Sequence, residues 1–343
     1  MNKRIILIEA IYSIYLLPHI LFYLPALVIS IVVQIIKWLK NILKKRPIDK
    51  LIGEVALITG SGRGLGREIA IALAKLGCHI AIVDIQENLA EETANYISGS
   101  YNVKTKFYKV DIRDYQQLLD LQKRVTADLG DVTILVNNAG IITLSSIDNP
   151  PAQEVQRMID VNFTAPILTT QIFLPKMKEL NRGYIVNISS LTAMYPHPIY
   201  NVYAASKAAS RNLTSSLRID LLASHSKVRA ITICPFFLTT NKRVNDLVKA
   251  LKLDRLMYDL DGEIVAEYII DAILRGDDEV TVPRNFALAT RLLASLPVFV
   301  FENIAGIIGK ICAHQIKDPK IGKILQTDDG VPINTVKING NYL

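Results

Sequence analysis

The chain has 343 residues and a mass of 38.2 kDa, enough for one full α/β core with extensions at both ends. Half of the residues are hydrophobic and the mean hydropathy is +0.27, which excludes a disordered chain, collagen and coiled coil. Three scattered cysteines, Cys78, Cys234 and Cys312, make no disulfide framework, and no Cys/His cluster has zinc spacing, so no metal is expected.

The net charge of +7 is concentrated at one end. Residues 1–46 hold Lys3, Arg4, Lys37, Lys40, Lys44, Lys45 and Arg46 against a single acid, Glu9. The remainder is nearly neutral, so a groove for nucleic acid is not expected. Between these charges, Ala10 to Ile36 is an uncharged run rich in Ile, Leu and Val. As a helix it would be roughly 40 Å long, against a bilayer core of about 30 Å. The run is too long for a secretory signal, and no small-residue cleavage site follows. Residues 5–46 are therefore expected to meet a membrane. Pro18 and Pro25 leave two geometries open, a spanning helix or a re-entrant hairpin. Trp38 beside Lys37 and Lys40 suits the headgroup layer, and the basic excess after the run keeps the rest of the chain in the cytosol.

Beyond Arg46-Pro47, apolar runs alternate with helical spacing. Strands are predicted at Glu54–Thr59, His79–Asp84, Thr105–Val110, Ile134–Asn137, Tyr184–Ile188, Val228–Cys234 and Glu279–Val282. Helices are predicted over Leu65–Leu76, from Glu87 to Ile97, and from the third strand through Leu129. This is the pattern of an α/β fold: one doubly wound Rossmann domain, residues 47–285, whose seven-stranded parallel sheet is covered on both faces. Residues 286–343 form a third segment. Phe286–Cys312 is apolar but broken by Arg291, Pro297, Glu302 and Lys310, which suits a lid, a surface lying on a bilayer, or an oligomer contact.

The first strand runs into Thr59-Gly60-Ser61-Gly62-Arg63-Gly64-Leu65-Gly66 and then a helix. Glycines there let backbone approach a pyrophosphate, and a helix N-terminus supplies oriented N–H groups, so Gly60, Ser61, Arg63, Gly64, Leu65 and Gly66 are candidate dinucleotide contacts. Asp84 ends the second strand, where a carboxylate accepts from ribose hydroxyls and repels a 2′-phosphate. This favours NAD; Arg63 in the loop keeps NADP open.

With this TGxxxGxG spacing, and with Asn137-Asn138-Ala139-Gly140 after the fourth strand, the chain resembles the short-chain dehydrogenase/reductase family over about residues 50–285. The resemblance implies that Asn138, Ala139 and Gly140 border the cofactor and that Asp111 contacts adenine. Tyr203-Ala204-Ala205-Ser206-Lys207 carries the catalytic signal. On a helix Tyr203 and Lys207 share a face. Free tyrosine has a pKa near 10, and a nearby ammonium together with an oxidised nicotinamide would lower it enough to accept an alcohol proton. The resemblance further implies that Ser190 holds the substrate oxygen, that Asn162 positions a relay water, and that Pro235 and Thr240 lie against the nicotinamide. Tyr195 and Tyr200 are expected to be packing or pocket residues, with Tyr195 beside Met194, Phe236 and Phe237 at an apolar entrance, and Ser189 a structural neighbour of Ser190.

Where the family usually has Pro-Gly, this chain has Pro235-Phe236-Phe237. With the apolar N-terminus, that is similar to the membrane-anchored retinol dehydrogenase and 17β-hydroxysteroid dehydrogenase type 11/13 branch. The branch implies a lipophilic alcohol or carbonyl as substrate, an endoplasmic reticulum or lipid-droplet surface with the catalytic domain facing the cytosol, and a homodimer. Two other readings compete: an NADPH-dependent 3-ketoacyl or 3-ketosphingoid reductase, and a non-catalytic surface scaffold that keeps the dinucleotide fold.

Overall fold

The computed structural model describes residues 51–142, 151–194, 200–236 and 260–284, with single positions from 25 to 36 and from 286 to 306. Most of the expected anchor, Tyr195, Phe237, Thr240 and most of the C-terminal segment lie outside the described residues. The chain divides into two units, Met1–Pro47 and Ile48–Leu343. In the first, Pro25, Ile29, Val32 and Ile36 are helical and exposed. Among the described residues no helix is long and apolar enough to cross a membrane.

In the second unit, strands and helices alternate: β1 (Val55–Thr59), α1 (Gly64–Lys75), β2 (His79–Asp84), α2 (Glu87–Ser100), β3 (Thr105–Lys109), α3 (Tyr115–Asp128) and β4 (Val132–Asn137). After β4 come α4 (Ala152–Ile159), a π-turn (Asp160–Thr164), α5 (Ala165–Glu179), β5 (Tyr184–Ile188), a short 3₁₀ turn (Leu191–Ala193), α6 (Asn201–Ala223), β6 (Arg229–Pro235), α7 (Gly262–Arg275) and β7 (Glu279–Val282). All seven strands are parallel, in the order β3-β2-β1-β4-β5-β6-β7. The predicted strands are all present, displaced at their ends by no more than two residues, while α2 continues to Ser100.

Successive strand residues point to opposite faces, and at the central strands β1 and β4 both faces are buried. Ala56 and Ile58 of β1 pack with Ile69 and Leu73 of α1, Ile97 of α2 and Ile269 of α7. Val55 and Leu57 turn the other way, toward Leu121 of α3, Phe173 of α5 and Leu221 of α6. Because β1 lies between β2 and β4, the strand order reverses there, and a crevice opens at the carboxyl ends of β1 and β4.

A polar chain crosses the apolar interior. Thr169 of α5 donates to Asn137 Oδ1 (2.7 Å), Asn137 Nδ2 to Asn187 Oδ1 (2.8 Å), and Asn187 Nδ2 to Thr214 Oγ1 of α6 (2.8 Å). Asn137 and Asn187 are register partners on β4 and β5, and all four side chains are buried. Thr214→Val should leave an Asn187 N–H without an acceptor, at a cost of about 1–3 kcal/mol. Thermal unfolding should then show a midpoint lower by roughly 2–4 °C for each kcal/mol lost.

Candidate active site

The glycine loop is set by contact as much as by turn geometry. Gly60 leaves β1 with φ +64°, and a Cβ there would stand 2.8 Å from Ala139 Cα. A Cβ on Gly66 would lie 2.2 Å from the Gly60 carbonyl oxygen. Only glycine fits such approaches. The loop is also stitched to the segment after β4. Thr59 Oγ1 accepts from the N–H groups of Asn138 and Ala139, each at 3.1 Å, and Asn138 Nδ2 donates to the carbonyls of Thr59 and Gly60, each at 3.0 Å.

Within that loop, Leu65 and Ser61 are buried, and the Ser61 hydroxyl is turned inward, donating to Ile58 O and accepting from Val83 N–H. Arg63 is exposed and its side chain makes no capping hydrogen bond to α1. The first turn of α1 holds no acid either, so its N–H groups and partial positive charge face the crevice uncompensated by a side chain.

Asp84 reaches under the loop from β2. Its Oδ2 accepts from Gly62 N–H at 2.9 Å and its Oδ1 from Gln86 N–H at 3.0 Å, and each oxygen keeps further lone-pair capacity. Asp111 follows β3. Arg113 grips both its oxygens, Nε at 2.9 and 3.1 Å and Nη2 at 2.5 Å, and this guanidinium holds the carboxyl below the usual carboxylate range.

The helix α6 brings Tyr203 and Lys207 together. Lys207 Nζ lies 5.8 Å from the Tyr203 ring centroid and donates to Ile188 O at 2.9 Å. A Cβ on Gly140 would stand 3.2 Å from that Nζ and 3.3 Å from Asn162 Oδ1, so three of the sequence candidates converge beside the glycine loop. Ser190 ends the strand region in extended backbone and accepts from Thr192 N–H (3.2 Å) and Oγ1 (3.0 Å). Its hydroxyl also bonds the Tyr203 phenol. Ser189 is different: its hydroxyl donates to the Lys207 main-chain carbonyl at 2.8 Å and serves the helix. Tyr200 is buried edge-on against Tyr203, a packing role. Pro235 closes β6, paired with Val282.

Asn162 sits buried in the π-turn, a feature absent from the sequence reading. One signal for it was present. Pro166 has no N–H, so no α-helical bond can close from it onto the Asn162 carbonyl four residues back, and the helix opens there. The Asn162 side chain accepts from Ile141 N–H (2.9 Å) and donates to Ile141 O (2.9 Å) and Ser206 Oγ (3.0 Å). Ser206 and the Thr59 hydroxyl were both overlooked as site builders.

Without a nicotinamide, the electrostatics of the Tyr203 and Lys207 pair are set by desolvation. Among this chain's own groups burial has the largest effect, because a low-dielectric interior disfavours either charge. It pushes Tyr203 up to about 12, against the pull of the Ser190 hydrogen bond, and brings Lys207 down to about 8. The buried Cys234 thiol is likewise pushed up to about 12, which leaves it a poor nucleophile.

Residues 54–248 match the short chain dehydrogenase family. The chain belongs to that family. It is 31% identical over 265 residues to epidermal retinol dehydrogenase 2 from Mus musculus, spanning 77% of this chain and 85% of that protein. It is also 31% identical over 282 residues to estradiol 17-beta-dehydrogenase 11 from Homo sapiens, spanning 82% and 90% of the two chains. These relatives place it in their branch of the family, as an oxidoreductase. A crystal structure of a short chain dehydrogenase/reductase from Burkholderia phymatum in complex with NAD superposes with a TM-score of 0.64 at 23% identity, covering 71% of this chain and 93% of that one, and shares the fold.

The depressed Lys207 has a consequence for stability. The unfolded lysine titrates near its ordinary 10.5, the folded one near 8. Below pH 8 both states carry the proton and the fold bears a buried charge; between those values stability rises with pH. Lys207→Met should therefore raise the thermal midpoint at pH 7 by several degrees, and the gain should fade as pH approaches 10, as followed by circular dichroism.

Proposed function

We propose that this chain is a membrane-anchored oxidoreductase that moves a hydride between NAD(H) and a lipophilic alcohol or carbonyl. The observation that carries this reading is the convergence of Tyr203, Lys207, Ser190 and Asn162 beside Gly140 and the glycine loop. The loop suits a dinucleotide: glycines at positions 60, 62, 64 and 66 keep it free of Cβ atoms at every second residue, a helix N-terminus with no side-chain cap faces the crevice, and Asp84 offers lone pairs at the end of β2. Gly60, Gly64, Leu65, Gly66, Asn138 and Ala139 would line the phosphate and nicotinamide path, with Ser61 contributing backbone only. Asp111 would meet adenine once it shares its carboxylate with Arg113, and Pro235 and Thr240 would flank the carboxamide. When bound, the nicotinamide accepts or supplies the hydride.

This chain's residues handle the proton and the orientation. Ser190 holds the substrate oxygen beside the Tyr203 hydroxyl. Tyr203 takes the alcohol proton in oxidation and returns it in reduction. Lys207, as an ammonium, favours the phenolate and holds ribose, and Asn162 organises the relay toward the lysine.

The substrate class rests on several features. The relatives are named for retinol and estradiol. Phe236, just past β6, stacks on Phe286 at 5.1 Å, which gives the site an apolar flank. Residues 5–46 would tether the enzyme to the endoplasmic reticulum or a lipid droplet, catalytic domain toward the cytosol. In that segment the positions Pro25, Ile29, Val32 and Ile36 are helical and exposed. Residues 286–343 would serve as lid or second-copy contact in a homodimer.

The purified full chain should turn over retinol, oestradiol or a fatty alcohol with NAD in preference to NADP, and Asp84→Ala should narrow that preference. A clear preference for NADPH would instead favour the ketoacyl or ketosphingoid reductase. Tyr203→Phe should lower kcat by about 100-fold or more; full turnover by this variant would remove Tyr203 from the mechanism. Since burial raises the phenol, its ionised fraction grows with pH throughout the neutral range. The kcat/KM for oxidation should thus climb from pH 6 to about 8, while Lys207 is still an ammonium, and that for reduction should hold level over the same range.

A further inference from the structure

Ser206 lies on α6 between Tyr203 and Lys207 and is 0% exposed. Its hydroxyl donates to the Tyr203 main-chain carbonyl, three residues back, at 2.7 Å. A serine has one proton to give. With that proton committed, Ser206 offers its remaining neighbour lone pairs, and it accepts from Asn162 Nδ2 at 3.0 Å. The other amide hydrogen goes to Ile141 O and Asn162 Oδ1 accepts from Ile141 N–H, each at 2.9 Å. Ile141 thus fixes which way the amide faces, and Ser206 ties it to the helix that bears Tyr203 and Lys207. In this orientation Oδ1 and Lys207 Nζ both border Gly140, at 3.3 and 3.2 Å from where its Cβ would be.

We propose that Ser206 is a positioning residue: its hydroxyl couples the Asn162 amide of the π-turn to the catalytic helix, and so sets the Asn162 and Lys207 groups against each other. The two groups come from separate elements, and the bond bridges them inside a buried site, where an unpaired amide hydrogen is costly. Ser206 touches neither substrate nor cofactor in this role; it acts through Asn162. The inference rests on the functional reading above, in which Asn162, Tyr203 and Lys207 form the reacting set.

The test is a double-mutant cycle in the full-length protein, with turnover of the best alcohol and NAD as readout. Ser206→Ala should lower kcat by about 10- to 100-fold, as expected for misplaced reacting groups, with little change in the KM for NAD. In an Asn162→Ala background the same substitution should cost less than about twofold, because the coupled partner is gone. Ser206→Thr, which keeps the hydroxyl, should recover most of the activity. An equal loss in both backgrounds, or no loss in either, would overturn the proposal. If Tyr203→Phe abolishes turnover while Ser206→Ala does not, the positioning role alone falls. If the wild-type chain turns over no lipid alcohol or ketone with either cofactor, the functional reading falls and this inference with it.

Discussion

A primary amine 4% exposed must find an acceptor, and Lys207 has the Ile188 carbonyl at 2.9 Å. That carbonyl is available only because β5 stops there. The next N–H, that of Ser189, still bonds Ile233 O of β6, and the chain then turns out of the sheet through Ser190 into the 3₁₀ turn. Ser189 adds a second hold, its hydroxyl on the Lys207 main-chain carbonyl at 2.8 Å. The end of one strand therefore grips the lysine at both its backbone and its amine. The same turn sets Ser190 against the phenol one helical turn away. Moving the end of β5 by one residue would exchange the inward and outward side chains and dissolve all three contacts at once.

The buried polar chain through Thr169, Asn137, Asn187 and Thr214 works on the same problem from below. Apolar packing on the two sheet faces is strong but non-directional, and it tolerates sliding of a helix along a strand. Hydrogen bonds between two strands and two helices do not. Thr169 stands just past the π-turn that carries Asn162, and Thr214 stands two turns past Lys207 on α6. The cross-link consequently fixes the relative height of the elements that carry those two groups. Every donor in it has a buried acceptor, so its directionality comes without an unpaired polar atom.

The strands, the parallel sheet and the glycine loop were legible because each is written in consecutive residues: apolar runs of four to seven, and glycines at fixed spacing before a helix. Tyr203 and Lys207 were legible for a similar reason, since a helix places positions four apart on one face. Other features depend on contacts between distant segments. Asn187 and Ser206 have common local uses as turn, cap or helix-surface residues, and nothing adjacent to them announces a tertiary partner; Asn162 was named only through the family resemblance, without its partners Ile141 and Ser206. The π-turn is an intermediate case. Pro166 did mark it, through the hydrogen bond it cannot donate. Spacing reports the ammonium near the phenol but not the desolvation of both groups, which depends on how much protein closes over them.

The loop and the acid at the end of β2 are best regarded as one object. Gly62 gives its N–H to Asp84 Oδ2 at 2.9 Å, and a Cβ on Gly62 would stand 3.0 Å from that same oxygen and 2.9 Å from Leu89 Cβ. The carboxylate is thus held against the loop by a bond that exists only while position 62 has no side chain. Its second oxygen is fixed by Gln86 N–H on the approach to α2. A carboxylate on a flexible side chain would otherwise sample several rotamers at the mouth of the crevice. Two backbone donors instead pin it in one place, with lone pairs left toward the loop. The glycine spacing and the acid 22 residues beyond Gly62 therefore express a single packing requirement, and each would lose its purpose without the other.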